Sequence, residues 1–112
     1  DMIRRVTADM PRVEVDIFDG LLADYAREKQ ACAVVKGLRA MSDFEYEFQM
    51  ALTNRHLNPD VETVFLTTTA EHMYVSSSLV KQLATLGADI ESLVPAAILP
   101  EIVKKIRKDA AR

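Results

Sequence analysis

Ala31-Cys32-Ala33-Val34-Val35-Lys36-Gly37-Leu38-Arg39 is the stretch on which the fold turns. Its opening residues, small or β-branched and without polar alternation, predict a strand over 31–35 covered on both faces, as in parallel sheets. The strand runs out into two cations around a glycine. Upstream, Asp19-Gly20 is a turn signal, and Leu21, Leu22, Tyr25 and Ala26 recur at helical spacing through about Lys29. Earlier still, Val13, Val15 and Ile17 alternate with polar residues as a half-buried strand does, and Pro11 separates them from an amphipathic helical pattern at the front of the chain.

Downstream of Arg39 the same alternation of element types continues. Ser42-Asp43-Phe44-Glu45 has the capping-box pattern, and a helix is expected from there to about Leu57, with Phe44, Phe48, Ala51 and Leu52 as its apolar face and Asn58-Pro59 as its stop. Val61 to Leu66 reads as the next strand and Thr67 to Glu71 as a polar loop. Ser76, Ser77 and Ser78 can cap a helix over 79–86 that Gly87 terminates. In the last stretch Ile102, Val103 and Ile106 give a helix an apolar side, with Lys104, Lys105, Arg107 and Lys108 exposed and near its end, where the helix dipole favours cations. Strands that alternate with helices imply an α/β fold with a parallel sheet flanked by helices, in a single domain over 1–112. Short right-handed crossovers make a Rossmann-like or flavodoxin-like layout the natural candidate, with ligands at the carboxyl ends of the strands.

Composition narrows the function classes. The 112 residues are 49% hydrophobic and 28% charged, within the range of one globular domain. A net charge of -3 argues against a general nucleic-acid or membrane-surface binder, which needs a basic excess to meet phosphate charge. Any anion site must therefore be local. The single cysteine, Cys32, permits no intrachain disulfide and is expected to be buried as a small hydrophobe, and a reducing, cytoplasmic setting fits.

Two segments suit a phosphate. Lys36-Gly37-Leu38-Arg39 lets backbone N–H groups and charged side chains approach an anion together, although four such residues alone are more often an ordinary basic turn. Ser76-Ser77-Ser78 offers hydroxyls and free N–H groups at the positive end of a helix dipole, although one cap and two solvated serines is the commoner outcome. Both follow predicted strands, and in a parallel sheet those ends share an edge. Glu47 could accept a hydrogen bond from an adenine amino group or a ribose hydroxyl, or stay solvated. His56 and His72 stand in no catalytic or metal-binding spacing.

The order of Lys36-Gly37-Leu38-Arg39-Ala40, Ser42-Asp43-Phe44-Glu45-Tyr46-Glu47, Asn54 and Val75-Ser76-Ser77-Ser78-Leu79-Val80-Lys81 resembles the phosphopantetheine adenylyltransferases. The resemblance covers nearly the entire chain. It implies a Rossmann-like nucleotidyltransferase fold, Mg²⁺ as cofactor, ATP and 4′-phosphopantetheine as substrates, and a homohexamer. Carried over by position, it implies ATP contacts from Gly37, Leu38, Arg39, Glu47, His72, Met73, Tyr74, Val75, Ser76, Ser77 and Ser78, and phosphopantetheine contacts from Leu22 and Lys36. Lys36 stands where many members have arginine, which keeps the cation and loses a bidentate phosphate contact. His72 and Met73 stand where an aromatic residue and a serine are common.

Members of that family open with a strand, a Gly-rich turn and a TxGH-type motif whose threonine and histidine bind the phosphates in the transition state. This sequence contains no such motif. The expectation is therefore that the first strand is missing from this chain and that these residues alone do not catalyse adenylyl transfer. The rival expectation is a non-catalytic α/β module that binds a nucleotide or a partner through the same strand-end loops.

Overall fold

The computed structural model describes residues 1–111, with the side chains of residues 41 and 42 outside the described set. In chain order the elements are α1 (Met2–Val6), α2 (Leu22–Glu28), β1 (Ala33–Leu38), α3 (Met41–Leu57), β2 (Glu62–Thr67), a 3₁₀ turn at Ala70–His72, α4 (Ser77–Thr85), a second 3₁₀ turn at Ala96–Ile98, and α5 (Leu99–Ala110). They form two compact units, one of Ile17–Tyr74 and one of Asp1–Asp16 with Val75 onward.

In the first unit β1 and β2 pair in parallel, from Ala33 opposite Glu62 to Leu38 opposite Thr67. Parallel pairing requires a crossover, and α3 supplies it. Side chains alternate across a strand, so Val34, Lys36, Leu38, Thr63 and Phe65 share one face, all at least partly covered. Phe44 of α3 meets Phe65 edge-on at 6.2 Å and stacks on Phe48 at 5.5 Å. The opposite face is open: Val35 is 63% exposed and Leu66 59%. The sheet is thus covered on one face and not on both, and among the described residues it has two strands.

Residues 13–17 form no strand, contrary to their alternation, and Ile17 is 86% exposed. A strand exists only through a ladder partner, and among the described residues β1 and β2 pair only with each other. Cys32 is exposed rather than buried, because it stands just ahead of β1, where its carbonyl accepts from the Glu62 N–H at 3.0 Å.

α2 is held to the end of α3 by two side chains. Asn58, 3% exposed, donates from Nδ2 to the Ala23 carbonyl at 3.1 Å and accepts from the Asp60 N–H at 3.2 Å, the local turn that stops α3 before Pro59. Arg27 donates to the Leu57 carbonyl at 2.8 Å, at the helix end where a cation is favoured. Ala23, Ala26 and Val61 are buried. After α2, Gln30 takes φ 55°, and the N–H groups of Gln30 and Ala31 reach back to Arg27 and Ala26, a Schellman closure built without glycine. The expected apolar face of α3 is mostly solvent-facing, with Phe48 47% and Leu52 54% exposed, and Asn54 is the buried position instead.

The second unit is built on Val80, Ala84 and Ile90, ringed by half-buried side chains that include Leu93, Val94, Ile102, Val103 and Ile106. α4 ends as expected: Gly87 at φ 79° allows its own N–H and that of Ala88 to bond Ala84 and Leu83. α5 begins with Pro100 in its first turn and lays its apolar stripe on α4. α1 joins α5 through the Arg5–Glu101 ion pair.

Replacing Asn58 by alanine removes one donor and one acceptor from a buried corner, leaving the Ala23 carbonyl without that partner. The expected cost is about 1–3 kcal/mol, read as a lower urea midpoint at unchanged slope; an unchanged midpoint would show that the Asn58 bonds do not hold α2 to α3.

Candidate functional site

The carboxyl ends of β1 and β2 lie side by side, and the Thr68 N–H carries the ladder one step further to the Leu38 carbonyl at 3.0 Å. The basic segment is not a loop beyond the strand. Lys36, Gly37 and Leu38 belong to β1, opposite Phe65, Leu66 and Thr67, and Arg39 is the first residue past it. The ladder continues because β2 offers partners through Thr67, which composition around a glycine does not reveal.

Each cation has a carboxylate from α3. Lys36 sits on the covered face, and its Nζ lies 3.3 Å from Glu47 Oε2. That oxygen is buried and receives no hydrogen bond of good geometry, so the contact is an ion pair and not a directed bond. Arg39 donates from Nε to Asp43 Oδ2 at 3.1 Å, and both side chains are part-buried. The N-cap of α3 is Ala40, so the helix starts ahead of the expected cap and makes no side-chain cap bond; the Ser42 hydroxyl of the capping box lies outside the described residues. Asp43 stands in the first turn, where a carboxylate is favoured by the free N–H groups. Its pairing with Arg39 was available in the sequence as a spacing of i and i+4 across the strand–helix junction.

Gly37 has ordinary backbone, and a Cβ added there would meet no atom within 4 Å. The chain's own packing therefore does not demand glycine. Open space over the end of a strand is what a ligand needs to approach the main chain closely. Leu22, in the same unit, opens α2 half-buried. His72 ends the 3₁₀ turn, with Nδ1 2.9 Å from Thr69 Oγ1 and 3.9 Å from Glu71 Oε1. Met73 and Tyr74 are exposed.

Val75 and the three serines belong to the other unit. Ser76 is the N-cap of α4 and its Oγ accepts from the Leu79 N–H at 3.1 Å, while Ser77 and Ser78 are solvent-facing. One serine caps and two stay available. An open cavity of about 800 Å³ adjoins the start of α4, lined by Ser76, Ser77 and Lys81 on the α4 side and by Ile102, Lys105 and Ile106 of α5. Lys81, one turn into α4, brings a cation to the same wall. No three His, Cys, Asp or Glu side chains come together as a metal cage among the described residues.

A family model described as cytidylyltransferase-like matches residues 1–83. The phosphopantetheine adenylyltransferase of Caldanaerobacter subterraneus subsp. tengcongensis is 51% identical over 108 residues, covering 96% of this chain and 68% of that protein. The chain belongs to the phosphopantetheine adenylyltransferase family. Its counterpart from Clostridium tetani is 56% identical over 104 residues, 93% of this chain and 65% of that protein. That of Clostridium botulinum strain 657 is 55% identical over 106 residues, with 95% and 65% covered. The chain thus spans about two thirds of the length of these curated relatives. Membership makes this a nucleotidyltransferase domain of Rossmann-like α/β class, in keeping with the parallel β1–β2 pair and the α3 crossover.

Ser76→Ala removes the cap of α4 and leaves the Leu79 N–H without its side-chain acceptor. The expected loss is about 1 kcal/mol of stability, read from thermal unfolding; Ser77→Ala and Ser78→Ala, which touch no cap bond, are expected to leave the unfolding temperature where it is.

Proposed function

We propose that the protein transfers the adenylyl group of ATP to 4′-phosphopantetheine, forming dephospho-coenzyme A and releasing pyrophosphate, a step of coenzyme A biosynthesis. The observation that carries this reading is the pairing of family membership with the cations and the open Gly37 at the carboxyl end of β1. In a parallel sheet that end is where ligands bind.

In this reading a phosphate oxygen of phosphopantetheine attacks the α-phosphorus of ATP in line, and the bond to the pyrophosphate oxygen breaks. No covalent enzyme intermediate forms. Charge accumulates on the transferring and leaving oxygens, so acceleration comes from positioning and from preorganised cations and dipoles. Lys36 holds the phosphate of phosphopantetheine, with Leu22 against its apolar arm. Gly37, Leu38 and Arg39 line the ATP phosphates, Glu47 stands by the nucleotide, and His72, Met73, Tyr74, Val75, Ser76, Ser77 and Ser78 wrap it. The hydroxyls of Ser77 and Ser78 and the first N–H groups of α4 are suited to phosphate oxygens.

Among the described residues no three His, Cys, Asp or Glu side chains gather into a cage for a metal ion. Mg²⁺ belongs to this reading as the companion of ATP, since it commonly takes phosphates and water as ligands in place of a protein cage. The reading also includes assembly as a homohexamer and a place in the cytoplasm. No helix among the described residues is long and apolar enough to cross a membrane.

The test is dephospho-coenzyme A formation from ATP and phosphopantetheine, followed by mass spectrometry with the full-length product of the reading frame. Product is expected, and Gly37→Ala is expected to weaken ATP binding at an unchanged unfolding temperature. ATP binding without product would favour the non-catalytic binding module; neither binding nor product would refute both.

A further inference from the structure

We infer that Asp43 and Glu47 are positioning residues that aim and hold in check the two cations of the site. The inference rests on the reading of Lys36 and Arg39 as phosphate-binding groups. It assigns Glu47 an action on the phosphate subsite through Lys36, in addition to any contact with the nucleotide, and it gives Asp43 a role in the reaction.

The geometry follows from the short link between β1 and α3. β1 ends at Leu38 and α3 starts at Met41, so the first two turns of the helix pass beside the strand end. Asp43 and Glu47 are one turn apart and therefore share a side of α3. Each takes one cation: Asp43 Oδ2 holds Arg39 Nε at 3.1 Å, and Glu47 Oε2 lies 3.3 Å from Lys36 Nζ. The four side chains are between 22% and 40% exposed, enough for an incoming anion to reach them and little enough for solvent to screen them only partly.

Two consequences oppose each other. The paired acids fix long, rotamer-rich side chains before the substrate arrives, which lowers the ordering cost of productive binding. They also cancel the positive charge, so a phosphate must share each cation with a carboxylate, and simple anions are held weakly. The Glu47 oxygen, buried without a directed hydrogen bond, is the looser of the two partners. Losing either carboxylate therefore strengthens the grip on a plain polyanion and harms the oriented reaction. A residue needed only for folding would weaken both together.

The experiment compares the full-length protein with Asp43→Asn, Glu47→Gln and the conservative Asp43→Glu and Glu47→Asp variants. Inorganic pyrophosphate is titrated calorimetrically at low ionic strength, kcat and KM are measured for adenylyl transfer, and the Arg39 Nε–H resonance is followed by ¹⁵N NMR. For Asn and Gln, pyrophosphate is expected to bind about fivefold tighter, as removal of one carboxylate charge beside the cations allows, while kcat falls about tenfold or more. The conservative variants are expected to recover most of kcat. The Arg39 Nε–H signal is expected to be protected from exchange in the parent and lost in Asp43→Asn. Pyrophosphate affinity and kcat that fall together, or that both stay put, would overturn the inference. A parent protein without turnover would count against the proposed function alone, because pyrophosphate affinity and the Arg39 resonance would still decide the role of the two acids.

Discussion

The parallel pairing of β1 with β2 is the constraint from which the rest of the first unit follows. Two parallel strands cannot be joined by a hairpin, so the chain has to travel back along the sheet, and α3 is the element that returns it. That return covers one face of the sheet, puts both strand ends on one edge, and brings helix carboxylates against strand-end cations. Lys36 lies under the helix because its side chain falls on the covered face. Such a cation needs a counter-charge, and Glu47 provides it. The electrostatics of the site are thus a product of strand sense and register.

A second layer of control lies in how helices end. Asn58 and Arg27 tie α2 to the last turn of α3 through main-chain carbonyls, which holds the crossover helix at its far end. At its near end the pairing of Arg39 with Asp43 does the same beside the carboxyl end of β1. α3 is held at both ends, and the half-buried groups between them are fixed in consequence. In the other unit Ser76 and Gly87 bracket α4, so the helix start that carries the remaining serines is itself well defined.

Much of this was legible in the residues. The helices around Tyr25, Gln49, Leu83 and Val103 and the strand at Thr63–Leu66 announced themselves through apolar spacing and through stop signals at Asn58-Pro59 and Gly87. Local rules failed where the outcome depended on a partner elsewhere in the chain. Val13, Val15 and Ile17 alternate correctly and still form no strand, because alternation cannot supply a ladder. Lys36 to Leu38 read as a loop because a glycine between cations looks like a turn, yet β2 extends far enough to pair them. The apolar residues of α3 suggested a buried stripe, while Asn54 is the position covered and Phe48 is not. Family resemblance assigned Lys36 and Glu47 to different substrates and could not show that the two side chains face one another.

In the proposed function the strand-end cations Lys36 and Arg39 form the phosphate-binding edge of a nucleotide site. The most direct measurement is a titration of ATP into uniformly ¹⁵N-labelled full-length protein, with every assigned backbone amide followed. The largest saturable shifts are expected at Lys36, Gly37, Leu38 and Arg39, with a second group at Ser76, Ser77 and Ser78. ATP that binds while leaving the amides of residues 36–39 unmoved would show that the end of β1 is not the phosphate-binding edge.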